Sequence, residues 1–359
     1  MADTSIHETA VTKSLGLATS DRRARRRELL RRTGLYAVLT LVGLALLFPF
    51  LVVAGASLKA RDDIFRYPPR VLPYSQDTAA VAGQDEPLPL YDIDGEERVL
   101  VEGVGAGAGA FALPEDPTDV VEANIRTATT VDSVSPRPEN FDEVLDQQNL
   151  GRSLMNTILV TLLVVGGTVL TSLMGGYAFA RINFPGRDAL FLVYIGSIMV
   201  PFVILIVPLY QVMVAFGWVD SLAALVFPFV FNAYGTFLIR QFFVSIPKEL
   251  EEAAVLDGAG RWTILWRIFV PLSTPAIATL STFMFLYAWN SFVWPFIVIN
   301  AGNTDNHVLT LSLQQLGGRA ADTPNLIFAA VIIAIAVPVT VFVLAQRYFV
   351  ENLANSGIK

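Results

Sequence analysis

The sequence predicts an all-α membrane protein. It has six transmembrane helices, with an extracytoplasmic insertion between helices 1 and 2. Three observations carry that expectation. Hydrophobic residues make up 53% of the 359-residue chain and charged residues only 16%, whereas soluble domains are about one quarter charged. Six stretches between charged residues reach, or nearly reach, the roughly 20 helical residues that cross a bilayer core. They are residues 33–58, 153–180, 189–219, 221–239, 268–304 and 323–346. Lys and Arg also alternate from loop to loop, as orientation in a membrane demands.

Each segment follows in order. Residues 1–32 are expected to form a disordered, basic cytoplasmic tail with Lys13 and seven arginines. The Arg22–Arg32 cluster abuts an apolar run, so it is expected to hold helix 1 (33–58) on anionic lipid and not to bind nucleic acid. Ala54-Gly55-Ala56 resembles a leader cleavage site, but the apolar run is longer than the usual 7–15 residues or so. Helix 1 is read as a retained anchor. Residues 59–152 form the first extracytoplasmic loop, which holds the acidic insertion 74–137. Leu88–Val101 suits a hairpin turning at Asp92-Ile93-Asp94-Gly95. Gly103–Ala110 reads as a flexible linker. Asp92, Asp94, Glu96 and Glu97 do not complete a calcium loop and read as solvated charge.

Residues 153–350 hold helices 2–6, and 351–359 form a second cytoplasmic tail. The tails and the loops after helices 2 and 4 carry 16 of the 25 basic residues. The loop after helix 3 has none, and that after helix 5 has only Arg319. Both termini are therefore expected in the cytoplasm. Residues 300–322 are long enough to fold back toward a pathway, with Val308–Leu313 as a short strand or interfacial helix.

Several chemistries lack material. There is no cysteine, and His7 and His307 are the only histidines. Thiolate metal sites and histidine-based triads are excluded, and no metal site is expected. No Gly-x4-Gly-Lys-[Ser/Thr] pattern occurs, so the chain lacks the usual phosphate cradle for hydrolysing ATP. Acids and bases are absent from the six windows, which argues against an ion-coupled carrier working alone.

The loop 245–271 is the most informative segment. Ser245 suits a helix cap and Pro247 a first turn. Glu249, Glu251 and Glu252 favour the positive end of a helix. Ala253 and Ala254 offer a small surface for close approach. Gly258 and Gly260 end this helix. Trp262, Leu265, Trp266 and Phe269 then form an apolar stripe that needs a covering partner or the membrane surface, before Pro271 and Pro275.

Glu252-Ala253-Ala254, then Gly258, then Ile268-x-x-Pro271, resembles the EAA signature of ABC importer permeases, with Val270 where Leu is usual. Further residues narrow the resemblance to carbohydrate importers, specifically the smaller permease of the maltose type. They are Ser57-Leu58-Lys59, Phe65-x-Tyr-Pro-Pro-Arg70, Asn140-Phe141, Asn156-Thr157, Tyr177-Ala-Phe-Ala-Arg181 with Phe184-Pro-Gly186, Trp289-Asn290, Trp294-Pro295 and the tail from Gln346 to Lys359. The resemblance covers 33–73 and 138–359; the insertion has no counterpart in it.

The resemblance implies a prokaryotic inner-membrane permease for a di- or oligosaccharide. It implies four kinds of partner: a second permease in a heterodimer, two ATP-binding subunits, an extracytoplasmic solute-binding protein and membrane lipid. The chain itself needs no cofactor, because ATP is held by the ATPase subunits. Glu252, Ala253, Ala254, Asp257, Gly258 and Pro271 are the coupling residues it implies. Asn232, Trp289, Asn290 and Gln314 are candidates for the substrate pathway, and amides inside spans also serve as interhelical hydrogen bonds. Permeases for polyamines, phosphate or amino acids share the EAA loop and are the alternative, ahead of a stand-alone secondary transporter.

Overall fold

The computed structural model describes residues 4–67, 69–81, 87–104, 107–146, 149–318 and 322–356, with side chains between 28 and 346. The chain falls into two compact units, 1–55 and 56–359. The first consists of helix α1 (Thr4–Ser57), which runs on to the boundary with the second. The basic tail therefore continues the anchor helix instead of forming a separate irregular segment. Arg, Leu and Glu of residues 22–32 are good helix formers, which suits this continuity. Arg32 adds an ion pair to Glu28 at 2.5 Å.

In the second unit, α2 (Arg61–Ile64) leads into the insertion, and here the all-α expectation fails. Strands β1 (Tyr74–Gln76) and β8 (Asp132–Val134) pair antiparallel at its base. Between them lie β2 (Thr78–Ala79), β3 (Leu88–Ile93), β4 (Glu96–Gly103), β5 (Ala108–Ala112) and β6 (Val120–Asn124), a sheet ordered by sequence, with β7 (Thr129–Thr130) also on β3. The expected hairpin is the β3–β4 pair, turning through Asp94 and Gly95 at φ 55° and 90°. The expected linker is instead the end of β4 and the start of β5; residues 105 and 106 lie outside the described residues. Small side chains permit this pairing. A Cβ on Gly109 would meet Leu100 Cδ1 at 2.5 Å and Ile125 Cγ1 at 2.7 Å.

The family-like segment after α1 seats this sheet. Arg66 and Arg70 both pair with the buried Asp132 of β8, at 2.9 and 2.8 Å. Burial pushes the Asp132 carboxyl up, but hydrogen bonds from Arg66, Arg70 and Thr130 outweigh it and hold it below the usual carboxylate range. Nearby, Asn140 of α3 (Glu139–Asp146) donates to the carbonyls of Ser57 and Lys59, each at 2.9 Å.

The helical body follows: α4 (Leu150–Arg181), α5 (Arg187–Gly196), α6 (Phe202–Phe216), α7 (Leu222–Val226), α8 (Ala233–Ser245), α9 (Lys248–Leu256), α10 (Arg261–Ile264), α11 (Val270–Leu272), α12 (Thr274–Trp289), α13 (Val293–Val298), α14 (Leu309–Gly317) and α15 (Pro324–Ser356). Segment 308–313 thus resolves as helix, not strand. Asn325, beside the start of α15, donates to Asn140 Oδ1 at 2.9 Å, tying that helix to the knot around Ser57 and Lys59.

Among the described residues, three helices are long and apolar enough to cross a membrane: 28–57, 150–181 and 324–346. The other three windows are bent pairs: 187–199 with 202–216 (103°), 222–229 with 233–245 (40°), and 261–272 with 274–289 (79°). The bends have local causes. Val200 is extended (φ −79°, ψ 116°) before Pro201, because a residue preceding proline is driven out of the helical region. Asn232 is extended as the cap of α8, and its side chain accepts from Gly235 N–H at 2.9 Å.

Helices α4 and α8 meet through small residues. A Cβ on Gly176 would stand 2.8 Å from Ile239 Cγ2, and one on Gly235 would stand 2.4 Å from Ser172 Oγ. Such backbone approach is how helices associate where lipid offers no hydrophobic driving force.

Candidate functional site

The loop 245–271 folds as a two-helix elbow. Ser245 is the last residue of α8, and its hydroxyl donates back to Phe242 O at 2.7 Å. Pro247, not Ser245, is therefore the N-cap of α9, since a proline there forfeits no helical bond. Glu249 and Glu251 occupy the first turn, where the helix dipole favours acids.

Gly258 ends α9 at φ +82°. Its N–H donates to Val255 O at 3.0 Å, and Ala259 N–H to Ala254 O at 2.9 Å. This crossed pair is a Schellman cap, which requires a left-handed residue between its two bonds. A Cβ on Gly258 would meet nothing within 4 Å. The constraint is the sign of φ and not crowding.

After α10 the backbone widens to a π turn over Leu265–Phe269. Pro271 has no N–H to return to the preceding turn, which suits a loosened register there. The 79° bend into α12 follows, at Ser273.

The elbow has two faces. Inward, Ile264, Leu265 and Phe269 are buried in the main core. Outward, Glu252, Ala253, Asp257 and Gly258 are exposed and Ala254 is half-buried. Leu256, Val255, Trp262 and Trp266 join that exposed surface at 88, 57, 61 and 41%. The expected aromatic stripe is therefore split. Leu265 and Phe269 are covered by this chain, and the two tryptophans are not.

Arg181, the last residue of α4, reaches under the elbow with its side chain 5% exposed. It donates to Phe243 O at 2.6 Å and to Ile246 O, satisfying carbonyls that end α8. It pairs with Glu251 of α9 at 3.6 Å and lies over the Phe269 ring, 4.9 Å from its centroid. Tyr177, one turn earlier, donates to Glu251 at 3.4 Å. Its ring meets Phe269 and Phe243 edge-on at 5.3 and 6.4 Å. The sequence of the loop alone does not point to Arg181 and Tyr177, which lie on α4. The signal was present as Tyr177-Ala-Phe-Ala-Arg181: an arginine closing a long apolar helix.

The four pathway candidates do not gather. Asn232 is spent on capping α8. Trp289 is buried, stacked on Phe285 at 5.6 Å, and donates to Ala334 O at 3.2 Å. Asn290 is exposed and donates to Leu286 O at 2.8 Å, while Gln314 is exposed on α14. Trp289 does line a cavity with Thr157, Tyr287, Trp294 and Thr310, but its volume is about 20 Å³. That holds about one water molecule and no sugar.

Residues 167–355 match the family described as "Binding-protein-dependent transport system inner membrane component". The match takes in the whole elbow and more than half of the chain. The chain belongs to this family. It is a membrane transport component and not an enzyme. It is 35% identical over 226 residues to the sn-glycerol-3-phosphate transport system permease protein UgpE of Rhizobium meliloti (strain 1021), covering 61% of this chain and 80% of that one. It is 32% identical over 204 residues to the arabinooligosaccharides transport system permease protein AraQ of Halalkalibacterium halodurans, covering 57% and 72%. A solved bacterial ABC transporter involved in import of the acidic polysaccharide alginate contains a chain of like fold. The TM-score is 0.61 at 18% identity, over 88% of this chain and 94% of that one.

Proposed function

We propose that this chain is the transmembrane permease subunit of an ABC importer for a carbohydrate, a di- or oligosaccharide. One observation carries the reading. A Gly-terminated elbow, anchored by buried Leu265 and Phe269, leaves Leu256, Trp262 and Trp266 uncovered. Family membership makes an ATP-hydrolysing subunit the natural occupant of that face. In this reading each bent pair is one span, giving six in all, with both termini and the elbow in the cytoplasm. The sheet of the insertion then lies outside. The partners are a second permease, two ATP-binding subunits and an extracytoplasmic solute-binding protein. ATP binding shifts the assembly by favouring one conformation over another.

Likeness to a glycerol phosphate permease favours a second reading of the cargo, a phosphorylated polyol. Purification of the tagged chain from its native membrane in mild detergent, with mass spectrometry, tests the assembly. Stoichiometric recovery of an ATPase and a second permease is expected; recovery of a stable homo-oligomer alone overturns it. Screening the solute-binding protein that restores transport with the purified assembly against oligosaccharides and polyol phosphates separates the two cargoes.

A further inference from the structure

Nothing in the EAA resemblance assigns a role to the far side of the elbow. That side is where Arg181 sits. One guanidinium touches four segments: the end of α4 that carries it, the terminal carbonyls of α8, Glu251 of α9, and the Phe269 ring of the π turn. The planar fork of arginine suits this, because its five donors are fixed in direction and its face stacks on aromatic rings. Lysine offers a point charge on a flexible stem and cannot do both. The surroundings are rigid. Tyr177, Phe243 and Phe269 form a closed triangle of edge-to-face rings, with the third side at 5.2 Å. Gly176 brings the α8 backbone close to α4 one turn before Arg181.

We infer that Arg181 is a positioning residue that fastens the elbow to α4, so that displacement of α9 is delivered to that span through the Arg181–Glu251 contact. The inference rests on the docking reading above. Without the ion pair, α9 keeps its chain neighbours, the apolar seat of the π turn and the single 3.4 Å hydrogen bond from Tyr177 to Glu251. The elbow then moves without carrying α4 with it.

The chain has no cysteine, so single spin labels report cleanly once partner cysteines are replaced. One label goes at exposed Lys248 on α9, the other at exposed Met174 on α4. The intact assembly is read by electron paramagnetic resonance with and without ATP and vanadate. In the otherwise native chain both labels should respond. In both Arg181→Gln and Glu251→Ala the Lys248 label should still respond. The Met174 response should be lost in Glu251→Ala and sharply reduced in Arg181→Gln, where Tyr177 still holds Glu251. Arg181→Lys should restore only part of it. A change that merely loosened the fold would alter both labels without nucleotide and would not separate their responses.

An undiminished Met174 response in both variants overturns the inference. If Arg181→Gln does not assemble, Glu251→Ala decides alone, because it leaves the bonds of Arg181 to α8 in place. Absence of any nucleotide response at Lys248 in the native chain overturns the docking reading first, and this inference with it.

Discussion

The two ends of α4 are fastened in opposite ways. At the Leu150 end the ties are numerous and mostly neutral; the Arg152–Asp305 ion pair there, at 3.4 Å, is solvent-exposed. Thr157 accepts from Leu309 N–H at 2.7 Å, Ser153 and Ser312 share a hydrogen bond of 2.7 Å, and Asn156 donates to the carbonyls of Asp305 and His307 at 2.8 and 2.9 Å. The adjoining turn is closed by Asp220, whose carboxylate accepts from Asn300 N–H and Asn303 Nδ2 at 3.0 and 2.8 Å. At the Arg181 end one buried cation and three aromatic rings do the work, below an exposed apolar surface. Distributed hydrogen bonds fix an end that stays in place. A single charged joint under an uncovered face suits an end that must move as a unit with something else.

Breaking the charged joint should have the largest effect. Arg181→Met takes the cation from Glu251, which keeps Tyr177, and removes the donor of two helix-terminal carbonyls, each a cost of about 1–3 kcal/mol. The apparent unfolding temperature of the purified assembly should fall accordingly; an unchanged value would show that Arg181 bears little of the load. Thr157→Val tests the Leu150 end. It leaves the buried Leu309 N–H without its acceptor, a cost of about 1–3 kcal/mol. Because other bonds remain there, the same melt should shift less, and nucleotide responses on α4 should persist.

Gly258→Ala forces a Cβ into a left-handed conformation, at about 1–2 kcal/mol confined to the elbow. The Cβ has open space, so assembly should survive. Gly258→Leu adds bulk to the exposed face, and transport per ATP hydrolysed should drop while membrane insertion is kept. Normal uptake by Gly258→Leu would count strongly against the coupling role.

The smallest effect lies in the insertion. The Asp132 carboxyl is held below its ordinary value, so its stabilisation is present above the unfolded carboxylate range, near pH 4. It is lost as pH falls through the lower folded value. Amide exchange in β1 and β8 should therefore speed up below that range and change little between pH 5 and 8 or so. Equal exchange in β1 and β8 at pH 3 and pH 7, after correction for intrinsic rates, would remove Asp132 from the account.

Legibility followed the range of the interactions. The Schellman cap at Gly258 and the hairpin turn at Asp94-Gly95 depend on a few consecutive residues, and both were readable. The spans were readable as windows but not as bends, because the 103° break rests on one Val200-Pro201 step inside an apolar run. Strand β5 is not legible because Gly103–Ala110 alternates glycine with small residues and carries no polar–apolar signal; its place is set by Leu100 of β4 and Ile125 just after β6. The stripe alone does not show which half this chain covers, because burial of Phe269 depends on Tyr177 and Phe243, distant in sequence. Arg181 was visible as a motif residue, and its contacts were not.

In the proposed assembly the outer face of the elbow docks on an ATP-hydrolysing subunit. A photoactivatable crosslinker on a cysteine at Leu256, which is 88% exposed, tests it most directly in native membranes. One dominant adduct with an ATP-binding protein is expected, changed in yield by ATP and vanadate. Adducts with lipid alone, unaffected by nucleotide, would contradict that docking.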